Sequence, residues 1–394
     1  MAHRDRRDDA QARRLSAEVL SRRELNRALL ERQHLLRRAD MPVRDMVEHL
    51  VGLQAQEIMP PYYGLWSRID GFDPNELGRL LEEREVVRLW LMRGTIHLAT
   101  VEDALAFKPL TQVVAERQHR GGHYSRRMGG ADIEALLKTA RELLAEEPLG
   151  GRELGRRLVA RGFGDDPEAI GNAARTHLPV VQVTPRGVWG ERGQAKLATI
   201  QSWTGRELEP EPSLDDFVLR YLRAFGPASV ADIQNWSGLT RLTEVVERLR
   251  ERLVAFQDER GRELFDLPDA PRPEPDVPAP VRLLGEYDNV LLGHADRKRI
   301  IPADFPWAAM LAPGRFVNNL LVDGELRATW WLERPGKATA LLGIRPFGRL
   351  SKQDREEVEA EAQRMVDFAA AEATARDVRF ENPVYETRSS TRTS

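Results

Sequence analysis

The 394-residue sequence contains no cysteine. That absence excludes disulfides, a thiolate nucleophile, iron–sulfur clusters and every cysteine-type zinc site, and it fits a reducing cytoplasm. Long apolar runs are missing as well. No stretch approaches the ~18 consecutive apolar residues of a membrane span, and the opening MAHRDRRDDAQARR has charges where a secretory signal has its apolar stretch. A cytoplasmic protein with no membrane attachment is the expectation. The motifs GxxxxGK[ST], HExxH and GxSxG are absent, so the usual nucleotide, zinc-protease and hydrolase signatures do not apply. Lysine is scarce among many arginines; Lys108 and Lys298 are two of the few. Arginine suits phosphate, yet high-GC codon usage explains its excess without any ligand.

What is present describes a globular chain. Hydrophobic residues make up 41% and charged residues 31%, and the length suggests two to four compact units at about 100–200 residues each. A net charge of −3, from 59 basic and 62 acidic groups, argues against a uniformly basic coat and leaves room for local basic surfaces.

The pattern along the chain predicts an α+β fold of three tandem winged-helix units followed by a small β-barrel-like domain. Residues 1–20 mix both charges and read as a loose tail. The first unit, 21–130, opens with the capping-box spacing Ser21-Arg-Arg-Glu24 and a helix bearing Leu25, Ala28 and Leu29 on one side. A helix after Pro42 carries Val43, Met46, Val47, Leu50 and Val51 at intervals of three and four. Two strands, Glu85–Met92 and Thr95–Ala99, join at Arg93-Gly94. The plan recurs over 131–208, with helices, then Val180–Thr184 and Val188-Trp189 flanking Pro185-Arg186-Gly187. It recurs again over 209–270, where Leu253–Phe256 faces Glu263–Phe265 across Arg260-Gly261. Prolines crowd 268–280, and 271–280 reads as a stiff linker. Short strand-like runs follow in 281–384: Val281–Leu284, Asn289–Leu292, Phe316–Val322, Leu326–Leu332 and Ala338–Ile344, with a turn at Asp323-Gly324. An amphipathic helix over Lys352–Ala371, a last strand over Val378–Glu381 and a polar tail over 385–394 complete the chain.

Chemistry is sparse by residue type alone. Eight histidines are scattered. His119 and His123 have i,i+4 spacing, but Gly121-Gly122 interrupts the helix between them, so solvated loop histidines are the reading. His97 sits in an alternating strand and reads as a hydrogen-bonded structural residue. His177 is open in the same way. No metal and no cofactor are expected. The stretch LVGLQAQEIMPPYYGLW is the most unusual: Gln54 and Gln56 fall where the helical apolar pattern stops, and Tyr62, Tyr63 and Trp66 follow. The two amides converge on one side only if the backbone is extended there; on a helix they diverge. By spacing alone they are ordinary surface amides, and the aromatics are core.

LVGLQAQE, PYYGLWSRIDGFDPNEL, RLWLMRGTIHL, FGPASVADIQNWSGL and LLGEYDNVLLGHADRKRI occur in order from about residue 23 to residue 380. Together they resemble the winged-helix AlkZ-like, YcaQ-related DNA glycosylases, and specifically the Gln-x-Gln branch. The resemblance implies tandem winged helices and a barrel around double-stranded DNA, excision of N7-alkylated purines and, in some members, unhooking of interstrand crosslinks. It also places the catalytic pair on Gln54 and Gln56. No lysine sits in this motif to form a Schiff base, so a monofunctional glycosylase that leaves an abasic site is expected, and a monomer is the default because tandem units can encircle DNA without a partner. Tyr62, Tyr63 and Trp66 become base-stacking candidates. DNA-contact candidates are the basic loop residues Arg117, Arg120, Arg126 and Arg127, the hairpin residues Arg93, Arg186 and Arg260, and His294, Arg297, Lys298 and Arg299. The alternative is a non-catalytic winged-helix DNA-binding protein such as a transcriptional regulator.

Overall fold

The computed structural model describes residues 18–302, 305, 318–336 and 338–383. Most of the two expected tails, along with Phe316 and Val317, lies outside the described residues. Val19–Leu20, expected as tail, form strand β1 and pair in parallel with Gln257 and Asp258. Helix α1 (Arg22–Arg32) begins at Ser21 with the expected capping box. It is buried on more than its apolar side, because its polar residues are anchors. Asn26 donates to the carbonyls of Arg299 and Gly324, and Arg32 makes a bidentate pair with Asp266 at 2.7 Å.

The next elements build the site. They are α2 (Val43–His49), β2 (Leu53–Gln54), α3 (Met59–Arg68), α4 (Pro74–Glu82), β3 (Val86–Trp90), β4 (Ile96–Thr100) and the long α5 (Val101–Arg120). After them come α6 (Ile133–Glu146), β5 (Leu149–Gly150), α7 (Gly151–Val159), α8 (Pro167–His177), β6 (Val180–Gln182), β7 (Lys196–Thr199) and α9 (Ile200–Thr204). The sheets of these two stretches are one. Six strands run in the order β2-β4-β3-β6-β7-β5, joined where Arg88 and Leu89 pair with Gln182 and Val181. The expected tight hairpin at Pro185–Gly187 is therefore a long connection, since β6 pairs with Lys196–Thr199 and not with Val188-Trp189. Val188 is buried, and Trp189 packs on Tyr62 and Phe368 instead. Apolar character marked those residues as packed, but it does not distinguish packing from strand pairing.

Helices α10 (Leu214–Phe225), α11 (Val230–Ser237) and α12 (Thr243–Arg248) precede the hairpin β8 (Val254–Asp258) and β9 (Glu263–Asp266), close to expectation. The proline-rich stretch after it is strapped to α1: Arg32, Arg23 and Arg27 donate to the carbonyls of Pro271, Pro275 and Val277. The last region holds β10 (Arg282–Leu284), α13 (Asn289–Leu292), β11 (Asn318–Val322), β12 (Glu325–Glu333), β13 (Thr339–Pro346), α14 (Lys352–Ala369) and β14 (Ala375–Phe380). Two expectations fail here. Asn289–Leu292 is a helical turn, because Asp288 caps it through the Val290 N–H at 3.1 Å. The five strands also form an open sheet in the order β10-β11-β12-β13-β14, with β10 and β14 at opposite edges and no barrel closure among the described residues. Closure depends on how far a sheet curls, and strand patterns carry no record of that.

One apolar core unites α1, α5 and α10–α12 with β3 and the α13 region. A second unites α2–α4 with the five-stranded sheet and α14. Gln54 and Gln56 follow Leu53, which belongs to the second.

Candidate active site

Backbone geometry answers the question left open at Gln54 and Gln56. β2 pairs antiparallel with β4, Leu53 opposite Leu98 and Gln54 opposite His97, and the pairing continues through the Ala55 N–H to the Ile96 carbonyl at 2.7 Å. The segment is extended, so side chains alternate: Leu53 and Ala55 enter the core while Gln54 and Gln56 share the opposite face. The sharp turn into β2 requires Gly52, whose φ is +84° and where an added Cβ would lie 2.8 Å from the Leu98 carbonyl oxygen.

Three donors hold this short strand. Asn289 donates to the Gly52 carbonyl at 2.8 Å, Arg88 donates to the Ala55 carbonyl at 2.8 Å, and Arg93 donates to Gln54 Oε1 at 2.8 Å. Arg88 lies mid-strand in the apolar run Val-Val-Arg-Leu-Trp, and this was a legible sign of an internal partner. Burial, with Arg186 nearby, brings its pKa down to about 10. Asn289 follows Asp288, which forms a buried bidentate pair with Arg68 at 2.8 Å for both contacts. The EYDN block of the last region thus supports the Gln-x-Gln strand directly.

The two carboxamides are not equivalent. Gln54 is 7% exposed. An arginine offers only donors, so the atom facing Arg93 must be the amide oxygen, which turns the amide NH2 away. Gln56 is exposed, and its Oε1 makes only a marginal 3.5 Å approach to the Ile96 N–H. Gln56 also lines an open cavity of about 810 Å³ together with Trp90, Tyr124, Arg152, Asn172 and Arg175. Arg175 lies over the Trp90 ring at 5.6 Å. Arg127, a candidate from the basic loop, lines the cavity too, and Tyr124 belongs to that loop; Arg152, Asn172 and Arg175 did not stand out by motif, because α7, α8 and the sheet meet only in the tertiary fold.

Neighbouring ionisable groups are held in uncharged or buried states. His97 is 1% exposed and shares Nδ1 with the Thr95 carbonyl at 3.0 Å. Burial, then the nearby Arg93 charge, lowers its pKa to about 3, so it is a neutral structural residue as expected. Lys108 is 2% exposed, donates to the Trp90 carbonyl at 3.2 Å, and is lowered by burial to about 8. Burial also raises Glu286, aided by the charge of Glu57, which follows Gln56.

Several candidates change role. Tyr62, Tyr63 and Trp66 are 1%, 6% and 8% exposed and form no stacking shelf. Tyr62 donates to the Gly187 carbonyl at 2.6 Å, Tyr63 meets Trp330 edge-on and Trp66 stacks on Phe368, because α3 is sandwiched between the sheets and α14. His294 and Arg299 are buried and bonded to the carbonyls of Phe225 and Pro227, so neither reaches a phosphate. Arg93 is half-buried at an internal turn, not at a wing tip. Arg186 is half-buried and donates to the Gly193 carbonyl.

The remaining basic candidates are more open. Arg117, Arg120, Arg126, Arg127, Arg260 and Lys298 are exposed, and Arg297 is half-buried. Arg127 pairs with Asp166 at 2.6 Å, Arg260 reaches Asp296 at 3.5 Å and Arg117 donates to the Gly238 carbonyl at 2.7 Å. His119 is not the expected loop residue, since α5 runs to Arg120; its Nδ1 lies 3.2 Å from Nε2 of His177. Among the described residues no group of three metal-ligating side chains comes together, and no helix is long and apolar enough to cross a membrane.

Comparison with known proteins agrees with this architecture. The model of the family described as DNA glycosylase AlkZ-like matches residues 47–368. An interstrand DNA cross-link repair glycosylase of Streptomyces sahachiroi is 24% identical over 321 residues, which is 76% of this chain and 85% of that protein. The solved structure of the Streptomyces sahachiroi DNA glycosylase AlkZ superposes with a TM-score of 0.71 at 21% identity, covering 92% of this chain and all of the other.

Proposed function

The chain belongs to the AlkZ-like DNA glycosylase family, and from that premise we propose that it hydrolyses the N-glycosidic bond of N7-alkylated purines in duplex DNA, crosslinked purines included, and leaves an abasic site. The observation that carries the reading is the extended Gln54-Ala55-Gln56 segment, with both amides on one face and Gln56 open to a cavity. A relative whose name describes interstrand cross-link repair supports the same substrate class.

The chemistry asks little of such a site. An N7-alkylated purine is already cationic, so its glycosidic bond breaks without an enzyme acid to protonate the base. What remains is to place water and to stabilise positive charge at C1′. Gln56 suits the acceptor role: its amide oxygen accepts a hydrogen bond from the water and turns the negative end of its dipole toward the oxocarbenium-like sugar. Gln54, with its oxygen held by Arg93, has its NH2 group left to donate to the water oxygen. Water then keeps a lone pair for C1′; as the C1′–O bond forms, the glycosidic electron pair leaves with the purine, which becomes neutral, and the water's surplus proton passes to solvent.

Among the described residues no lysine lines the cavity onto which Gln56 opens. Lys108 is buried against a backbone carbonyl, consistent with a hydrolytic, monofunctional reaction. Exposed Arg120, Arg126, Arg260 and Lys298 are the best-placed groups to meet phosphates. Arg117, Arg127 and Arg297 are secondary contacts in this reading.

The test uses duplexes carrying one N7-methylguanine, or one crosslink between N7 positions, followed by alkaline cleavage of abasic sites. Strand breakage with catalytic turnover, loss of it in Gln54→Ala/Gln56→Ala, and no covalent complex on borohydride treatment are expected. Absence of breakage with both substrates, or equal breakage by the double variant, overturns the proposal.

A further inference from the structure

Arg93 has no carboxylate partner among the described residues and is held at a turn that three elements share. Its Nη2 donates to Gln54 Oε1 at 2.8 Å and its Nη1 to the Trp236 carbonyl at 2.7 Å. Its own carbonyl accepts from Gln118 Nε2 of α5 at 2.8 Å. Its φ of +56° is an uncommon conformation for a side-chain-bearing residue, and it aims the guanidinium along this path. Gly238, the left-handed cap of α11, packs against the same turn so closely that an added Cβ would sit 3.1 Å from Arg93 Cα and 2.9 Å from Val114 Cγ1. Arg117 in turn donates to the Gly238 carbonyl.

We infer that Arg93 is a positioning residue for Gln54, tying the amide's orientation to the C-terminal end of α11 across the fold. The inference rests on the glycosylase reading of Gln54. A carboxamide is nearly symmetric in shape, so packing alone does not decide which end faces the sugar and the water. A donor-only partner does decide it. Through Arg93, the α11 cap controls whether Gln54 presents its NH2 or its oxygen to the reacting centre. Arginine is the residue that can do this: its planar fork serves the Trp236 carbonyl and Gln54 at once, whereas a lysine ammonium on a flexible stem lacks that fixed fork.

The role differs from a DNA contact in what it predicts. Arg93→Ala and the shape-keeping Arg93→Met lower single-turnover excision about 10- to 100-fold, the range for a misplaced catalytic group. Their affinity for lesion-bearing duplex stays at the wild-type value. In the Gln54→Ala background the same substitutions lower the rate no further, and added guanidinium ion restores part of the activity of Arg93→Ala but none to Gln54→Ala/Arg93→Ala. Gly238→Ala, which presses on the turn from the α11 side, shows the same dependence on Gln54. A full additive loss in the Gln54→Ala background, or weakened duplex binding as the main effect, overturns the positioning role. Wild-type protein that excises neither lesion instead overturns the glycosylase reading itself, which keeps the two failures apart.

Discussion

Asp288→Ala probes the support beneath the Gln-x-Gln strand, and its cost can be worked from the contacts. The Arg68 and Asp288 side chains are 0% and 2% exposed, with two charge-assisted hydrogen bonds at 2.8 Å. Removing the carboxylate strands a buried guanidinium, a loss of about 3–5 kcal/mol. It also removes the cap on α13, worth about 1 kcal/mol. The sum, about 4–6 kcal/mol, is comparable with the whole stability of many domains. The double replacement Arg68→Met/Asp288→Leu removes both charges, and it is expected to cost less than Asp288→Ala alone despite the lost Arg68 bonds to the Gly64 carbonyl and Gln33. Urea unfolding measures both. Because Asn289 holds the Gly52 carbonyl beside this pair, excision at a temperature where each variant is folded should fall as well. A cost below about 1 kcal/mol for Asp288→Ala, or a double variant as unstable as the two singles summed, would refute the reasoning.

Gln56→Ala should abolish most excision while changing stability by less than about 0.5 kcal/mol, because the side chain is exposed; calorimetry and single-turnover assays check the split. Gly52→Ala forces a Cβ into a backbone oxygen at a positive φ, and is expected to cost at least about 1–2 kcal/mol and to reduce excision by displacing both amides. The fold keeps His97 neutral down to about 3 against an ordinary 6.5. As pH falls below 6.5 the unfolded chain takes up a proton that the fold refuses, so stability drops by about 1.4 kcal/mol per pH unit from this residue. Urea titrations of His97→Gln between about pH 6 and 4 should show a correspondingly shallower slope. Arg120→Ala and Arg126→Ala should weaken duplex binding uniformly across sequences and each reduce the salt slope by about 1, whereas Arg299→Ala should act through stability instead.

Local signals read directly from the chain held where the chemistry is local. The Ser21 capping box, the hairpin turning at Arg260-Gly261, the amphipathic helix from Lys352 and the absence of every cysteine-based site follow from residue type and spacing. The choice of Gln54 and Gln56 came instead from the resemblance carried by the ordered blocks along the chain, since residue type and spacing alone read them as ordinary surface amides. Spacing left their direction open, because extended and helical backbones send residues 54 and 56 to different sides; pairing with β4 made the backbone extended and put them on one face. The same long-range packing buried Tyr62, Tyr63 and Trp66, turned Arg93 and Arg299 inward and, among the described residues, left the last sheet open. Residue chemistry therefore determined which groups were available to act. Exposure, partners and orientation were decided by contacts between segments distant in sequence, where burial and the need to satisfy each buried donor act on the folded chain as a whole.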